Sequence, residues 1–556
     1  MQETSPLCLG DLPEFADLPG GDLVWWRDDA EWHTLVSIDC SIESNNHLKP
    51  GTLAMPRLLL VWTDSQGSPL DAQQIRVQNR SHLVLDSRKL ATLFGRPVVT
   101  AAEGVLVIVL WPDAPADKDS LAGYSRLYVT VDWHSEAGQL ISLHSDQSFR
   151  KIRKAIDLTE MVVRETTDSR NSLIFVNGPA RQSPGALLLN VTNHRGEVLE
   201  ARYNAAMPPF SLHRLRLATL FPDIEEFGAA EHLMVGGHFD CDSLYTRPYV
   251  ITEGVSAGGY HGGDRYEFSP VPGFAHRLLG RGETNPMLIV EGAELSTTVN
   301  VLNSHGGVEG DFWVDAHVYD RSGALVAVRE RWLLARRFGL SRGHVKDLLE
   351  NAGPEFVGHL CLSYSKSGQA LYPKRLQALM EYAGRSSIAR VMAWSDLWNA
   401  RERVAEILGS FDARMNLRVW GEKDCPEPGR LYSSHYRAWC GDDLETWLAV
   451  TNAGTLENYS TTIAYDIELT SVLGQMWRCS RCLPPFATDL LSLSEIFPRA
   501  RDLLGDGNVG MLRVVSAADL ACVQLTQHRR SGAWGVEHLM ADASLFNGEY
   551  RSASGS

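Results

Sequence analysis

Gly254-Val255-Ser256-Ala257-Gly258 carries the most explicit chemistry in the chain, because a G-x-S-x-G spacing after an apolar strand can lift a serine hydroxyl out of a strained turn. It follows PYVIT, and the YHGGD beyond it could offer backbone donors to an oxyanion. Three features oppose this. Gly258, Gly259, Gly262 and Gly263 crowd the place where the required helix should start, the HGG string follows the serine instead of preceding it, and Ser531-Gly532 holds a corresponding position elsewhere as a plain turn. The expectation is a Gly-rich hairpin loop, with a nucleophilic Ser256 as the alternative.

Imidazole and carboxylate together suit a divalent ion, and His238, Asp240, Cys241 and Asp242 are followed by His261 and Asp264 on the same Gly-rich insertion. His134 and His144, like His528 and His538, are ten residues apart around a turn near Gly138 or Gly532. A centred turn would face the members of each pair across two strands, with Asp132 or Asp146 available to the first pair. A structural zinc takes four ligands, so the pairs read first as repeated polar strand positions and second as sites for a divalent metal such as Zn. No other cofactor is expected. Cys479-Ser-Arg-Cys482 is a lone CxxC followed by Leu483-Pro484-Pro485, which stops a helix, so it reads as one buried and one exposed thiol. Trp25, Trp26 and Trp32 are expected in a core, with a stacking platform for sugar rings as the alternative. Arginines 329, 331, 336, 337 and 342 are expected to face acids of a neighbouring unit.

The elements that must position these residues repeat. A Gly-marked turn occurs at Gly67, Gly196, Gly323 and Gly474, and a short apolar element follows after 27, 25, 26 and 23 residues, at Phe94, Phe221, Leu349 and Phe497. Each is followed by a β-branched or Leu-rich run, from Gly104, His232, Gly358 and Gly510, and then by a strand entering another small-residue turn. The fold class predicted is all-β: four tandem Ig-like or Greek-key antiparallel β-sandwich units with short helical inserts. The expected units span residues 20–150, 168–275 (with the Gly-rich loop), 280–394 and 428–545. KIRKAIDLTEMVV, from Lys151, is expected as a connector, and 395–427 as a helical one, because SDLWNARERVAEILGSF places Leu397, Val404, Leu408 and Phe411 on one face. By composition and layout the chain resembles the tandem Ig-like repeats of many bacterial proteins.

Composition narrows the function classes. With 556 residues, 44% hydrophobic and 22% charged, the chain is globular and too long for one core. A net charge of −16 opposes a general nucleic-acid or anionic-membrane binder, and no apolar run is long enough to span a bilayer. The start lacks the basic and apolar regions of a secretory signal, and nine scattered cysteines are unlike a disulfide framework, so a cytoplasmic location is expected, or a secreted one if a leader is missing. The leading expectation is a non-catalytic scaffold or binding protein for a protein or carbohydrate partner. The alternatives are a metal- or serine-dependent enzyme built on the Gly-rich loop, and a self-assembling structural protein forming homo-oligomers through strand edges.

Overall fold

A computed structural model describes residues 3–12, 21–40, 57–77, 81–111, 128–145, 155–240, 248–261, 270–272, 283–284, 286–303, 310–349, 353–364, 371–373, 377–396, 432–452, 460–516 and 520–539. Four times over, eight strands run in the same order. In unit 1 they are Gly21–Arg27, Trp32–Asp39, Arg57–Asp64, Pro69–Arg76, His82–Asp86, Glu103–Trp111, Tyr128–Ser135 and Leu140–Ser145. The first, sixth, third and fourth strands form one antiparallel sheet, and the fifth, second, seventh and eighth form the other. Units 2, 3 and 4, with first strands Ala155–Val163, Met287–Glu291 and Tyr432–Trp439, repeat that order, so the all-β tandem-sandwich expectation is met. Only the third–fourth and seventh–eighth pairs are hairpins, and the chain otherwise crosses between sheets, a Greek-key wrap compatible with Ig-like layout.

The landmarks read from sequence fall at fixed places in this wrap. Gly67, Gly196, Gly323 and Gly474 close the third–fourth hairpin of each unit at φ between 78° and 93°, a left-handed conformation that glycine adopts without a Cβ penalty. The short apolar elements follow the fifth strand as single turns: Leu90–Phe94, Leu217–Leu220, Val345–Leu348 and Leu493–Ile496. The last is fixed by a capping box, in which Ser492 Oγ accepts from the Glu495 amide at 3.2 Å and Glu495 Oε2 accepts from the Ser492 amide at 2.7 Å.

Two boundaries differ from expectation. Ala155–Val163, read as part of a connector because basic residues precede it, is the first strand of unit 2 and pairs antiparallel with Leu233–Asp240. Ser395, read as a helix cap, lies in the eighth strand of unit 3, Ile388–Asp396, where its backbone pairing with Thr284 of the short strand Glu283–Thr284 outweighs its capping propensity. The remainder of the proposed helical connector lies outside the described residues.

The four eighth strands, Leu140–Ser145, Gly258–His261, Ile388–Asp396 and Ala533–Leu539, pack in a closed circuit: unit 1 on 2, 2 on 3, 3 on 4, and 4 back on 1. The chain is therefore a ring of four sandwiches. Small side chains permit the approach. A Cβ on Gly258 would stand 1.9 Å from the Ile388 carbonyl oxygen, and one on Gly535 would stand 2.4 Å from Ser142 Oγ.

The seams alternate. One continuous apolar core runs through units 1 and 2 and takes in Leu302 and Leu379 at the edge of unit 3, and another joins unit 3 to the inner strands of unit 4. In both pairs the third–fourth turn of the leading unit seats against a Pro-Pro-Phe loop of the next, Gly67 against Pro209 and Gly323 against Pro485, whereas a Cβ on Gly196 or Gly474 would meet no described atom within 4 Å. The ring is a pair of pairs. Replacing Gly258 with alanine forces the backbone of units 2 and 3 apart and is expected to cost about 3 kcal/mol. Alanine at Gly10, where a Cβ has open space, should leave the melting temperature unchanged; calorimetry on both variants checks this.

Candidate functional site

Ser256 lies half-buried in the hairpin between the seventh and eighth strands of unit 2, Tyr249–Gly254 and Gly258–His261. A strand follows it where the nucleophile motif requires a helix. The turn is clamped from both sides: Gln139 Nε2 of unit 1 donates to the carbonyls of Gly254 and Val255 at 3.0 and 3.3 Å, while the Ala257 amide donates to Ser386 O of unit 3 at 3.2 Å. The Ile388 amide returns a bond to Ala257 O at 2.9 Å. The glycines that imitated a catalytic motif serve close packing of the ring.

The histidine sets are not brought together as the spacing suggested. His134 pairs with Leu140 and His144 with Thr130, so the two sit four positions apart along the hairpin, roughly 13 Å at strand rise. The turn is centred nearer His134 than a ten-residue spacing assumes. His528 and His538 are likewise displaced, by five positions, pairing with Ala533 and Val523. His144 instead reaches across the ring, its Nδ1 2.6 Å from Glu537 Oε1 of unit 4. His238 and Asp240 are exposed on the sixth strand of unit 2, in the first sheet, whereas the backbone of His261 pairs with Tyr249 in the second. Cys241, Asp242, Asp264 and Asp146 lie outside the described residues. Among the described residues no three His, Cys, Asp or Glu side chains gather as a metal site would need.

Cys479 and Cys482 stand on the edge strand Met476–Leu483, three residues apart and so on opposite faces, one half-buried and one exposed. Trp25, Trp26 and Trp32 are buried in the unit 1 core, which removes the stacking platform. Arg342 does face an acid, Glu381 at 3.1 Å, but within its own unit.

Buried polar chemistry sits instead at the seams, a feature the sequence reading missed; within the first pair Arg27 of unit 1 reaches Glu253 of unit 2 at 2.7 Å. At the seam of units 4 and 1, Arg437 from the first strand of unit 4 enters unit 1 and ion-pairs with Asp132, each side chain only 1% exposed. Ser142 also donates to Asp132. His82 and His134 are buried beside them, and the His134 ring stacks on His33 with centroids 5.2 Å apart. At the seam of units 2 and 3, Glu381 is held between Arg342 and Arg390, and Arg390 Nη1 donates to Thr252 of unit 2 at 3.1 Å. The two arginines pull the Glu381 carboxyl down to about 2 against the opposing effect of its burial. The sequence carried no local signal for this, because alternation groups Asp132 with Thr130 and His134 in YVTVDWH, and Arg437 with His435 in HYRAW, on the polar faces of their strands.

No protein-family model matches the chain, and no curated protein matches it. Among solved structures it is similar to a tetra-tandem repeat in the extending region of a large adhesion protein, at 12% identity over 94% of this chain and 100% of that one, with a TM-score of 0.10. It is also similar to the viral chemokine binding protein R17 encoded by rodent gammaherpesvirus Peru, at 10% identity over 72% and 88%, with a TM-score of 0.14. At those TM-scores neither likeness carries an argument.

Breaking the buried pair strands a charge. Asp132→Asn or Arg437→Met alone is expected to cost about 3–5 kcal/mol in urea denaturation, and the double variant Asp132→Leu/Arg437→Met to recover most of it. Ser256 is expected to stay unlabelled by a serine-directed fluorophosphonate on intact-mass analysis; a stoichiometric adduct would restore the nucleophile reading.

Proposed function

We propose that the protein is a non-catalytic binding scaffold that accepts an extended segment of a protein partner on the outer edges of its sheets. The observation that carries this is the contrast among the four fourth strands. Each ends its repeat's first sheet, and an edge strand offers unpaired backbone groups to an incoming strand. In unit 1 the edge is occupied by the chain's own N-terminal strand, Glu3–Pro6, which pairs antiparallel with it from Glu3↔Arg76 to Pro6↔Gln73. In units 2, 3 and 4 the fourth strand stands at the sheet end. That of unit 3, Leu325–Ala335, also exposes neighbouring apolar side chains: Leu325 (50%), Val326 (47%) and Val328 (51%).

The occupied edge of unit 1 is a precedent, in an equivalent strand, for the kind of occupant taken by the edge of unit 3, which no described strand covers. A bulge at Arg331 with the charges of Arg329 and Glu330 on one side, and a second register shift at Val326 on the other, limit the receptive stretch to a few residues around Val326–Arg329, so the occupant is short and apolar. Burial of Trp25, Trp26 and Trp32 leaves a carbohydrate partner without its best-placed platform. Among the described residues no helix is long and apolar enough to cross a membrane. The seven described cysteines are all free thiols, which supports a reducing, cytoplasmic setting.

Fluorescence anisotropy against a library of labelled ten-residue peptides tests the reading. Apolar, strand-forming peptides are expected to bind the full chain, and Val326→Lys/Val328→Lys to weaken them at least about tenfold. Binding that ignores the double substitution, or no binding by any library member, overturns it. Light scattering on the same pair of proteins identifies the self-assembly alternative, since concentration-dependent dimers lost in the variant would make the occupant a second copy.

A further inference from the structure

The seam between units 1 and 4 differs from the other three. Units 1 and 4 are not consecutive in the chain, so this contact alone can part while every neighbouring unit stays tethered. Its apolar portion is small and separate from the main cores: Leu35 of unit 1 with Trp439 and Val509 of unit 4, flanked by Val84, Leu444 and Val472. The rest is polar, and much of it lacks partners. Arg437 Nε and Nη1, Asp132 Oδ2, His134 Nε2 and both ring nitrogens of His82 are buried with no hydrogen-bond partner among the described residues. Such groups weaken the closed state relative to one in which water reaches them.

The charges around the two histidines differ: cations surround His134, whereas at His82 the effect of Asp39 exceeds that of Arg437 and burial is what disfavours the proton. His82 is faced by Asp39 from the second strand and by Arg437 from unit 4. His134 is faced by His33 from the second strand, Arg88 from the turn after the fifth, Arg437, and His528 from the seventh strand of unit 4; across its hairpin stands Leu140. Asp39 stands directly across the strand pair from His82, and Asp132, two residues from His134 on the same strand, is already engaged by Arg437 and Ser142. A proton on either ring therefore places a second cation beside a buried guanidinium.

We propose that this seam is an acid-operated latch: protonation of His82 and His134 releases unit 4 from unit 1, opening the ring while the four sandwiches stay folded. Burial, reinforced by Arg437 and opposed by Asp39, lowers His82 from 6.5 to about 4, and burial with the neighbouring cations holds His134 well below its ordinary value. Water-exposed rings in the open state titrate near 6.5. The closed ring thus keeps its full stability above about pH 6.5 and loses it as the pH falls toward about 4. Asp132 works in the opposite sense, because burial raises its carboxyl against the pull of Arg437, and so the release rests on the histidines.

Small-angle scattering and far-ultraviolet circular dichroism of the full chain from about pH 7.5 to about pH 4.5 test this. The expected result is a reversible rise in radius of gyration with the β signal unchanged. His82→Leu/His134→Leu should lower the midpoint by about one pH unit or more. A cross-seam disulfide, Gly138→Cys/Ser531→Cys, where a Cβ on Gly138 would stand 3.0 Å from that of Ser531, should abolish the expansion when oxidised and permit it when reduced. No expansion in the wild-type chain, loss of the β signal in the same step, or an unmoved midpoint in the histidine variant overturns the latch; the first two need no variant to fold.

Discussion

Four strands from four separate sandwiches meet at the centre of this molecule, and they can do so only where backbone touches backbone or a very small side chain. Gly258 against the Ile388 carbonyl and Gly535 against Ser142 satisfy that requirement. Much follows from it. Each unit must turn its seventh–eighth hairpin inward, so those hairpins are committed to packing, and each fourth strand is left on an outer sheet edge. A loop that looks catalytic in sequence is thereby clamped by units 1 and 3, and among the described residues the fourth strands of units 2, 3 and 4 stand at sheet ends.

The seams divide the physical labour. Within the pairs 1–2 and 3–4, continuous apolar cores and turns seated on Pro-Pro-Phe loops provide non-directional burial that scales with area. Buried arginine–carboxylate contacts add to this, Arg27–Glu253 within the first pair, Arg437–Asp132 between units 4 and 1, and the Arg342–Glu381–Arg390 group reaching Thr252 between units 3 and 2. Buried ion pairs add little net stability against their desolvation, but they penalise misregistered docking severely. A ring built this way is held strongly inside each pair and specified, more than strengthened, between them.

Much of the fold was legible in the chain because repetition multiplies weak signals. One Gly-marked turn is ambiguous, but Gly67, Gly196, Gly323 and Gly474 at matching distances from a short apolar element identify a duplicated unit. Reading failed where local composition competed with pairing. The basic residues before Ala155 disguised a first strand, and a serine suited to helix capping at 395 proved to be strand. The histidine pairs failed for a narrower reason: a hairpin spacing fixes partners only when the centre of the turn is known, and here it is displaced toward His134 and His528.

Periodicity, turn glycines and repeat spacing by themselves determined an all-β chain of four sandwich units, since these depend on contacts between residues near in sequence or repeated at fixed separation. Only the tertiary structure decided that the units close into a ring, that Arg437 meets Asp132 some three hundred residues away, and that Gly258 exists for the backbone of unit 3. The physical reason is that a contact between distant units leaves no period in either partner. A lone arginine in a strand reads as solvent-facing until the carboxylate that buries it is in view.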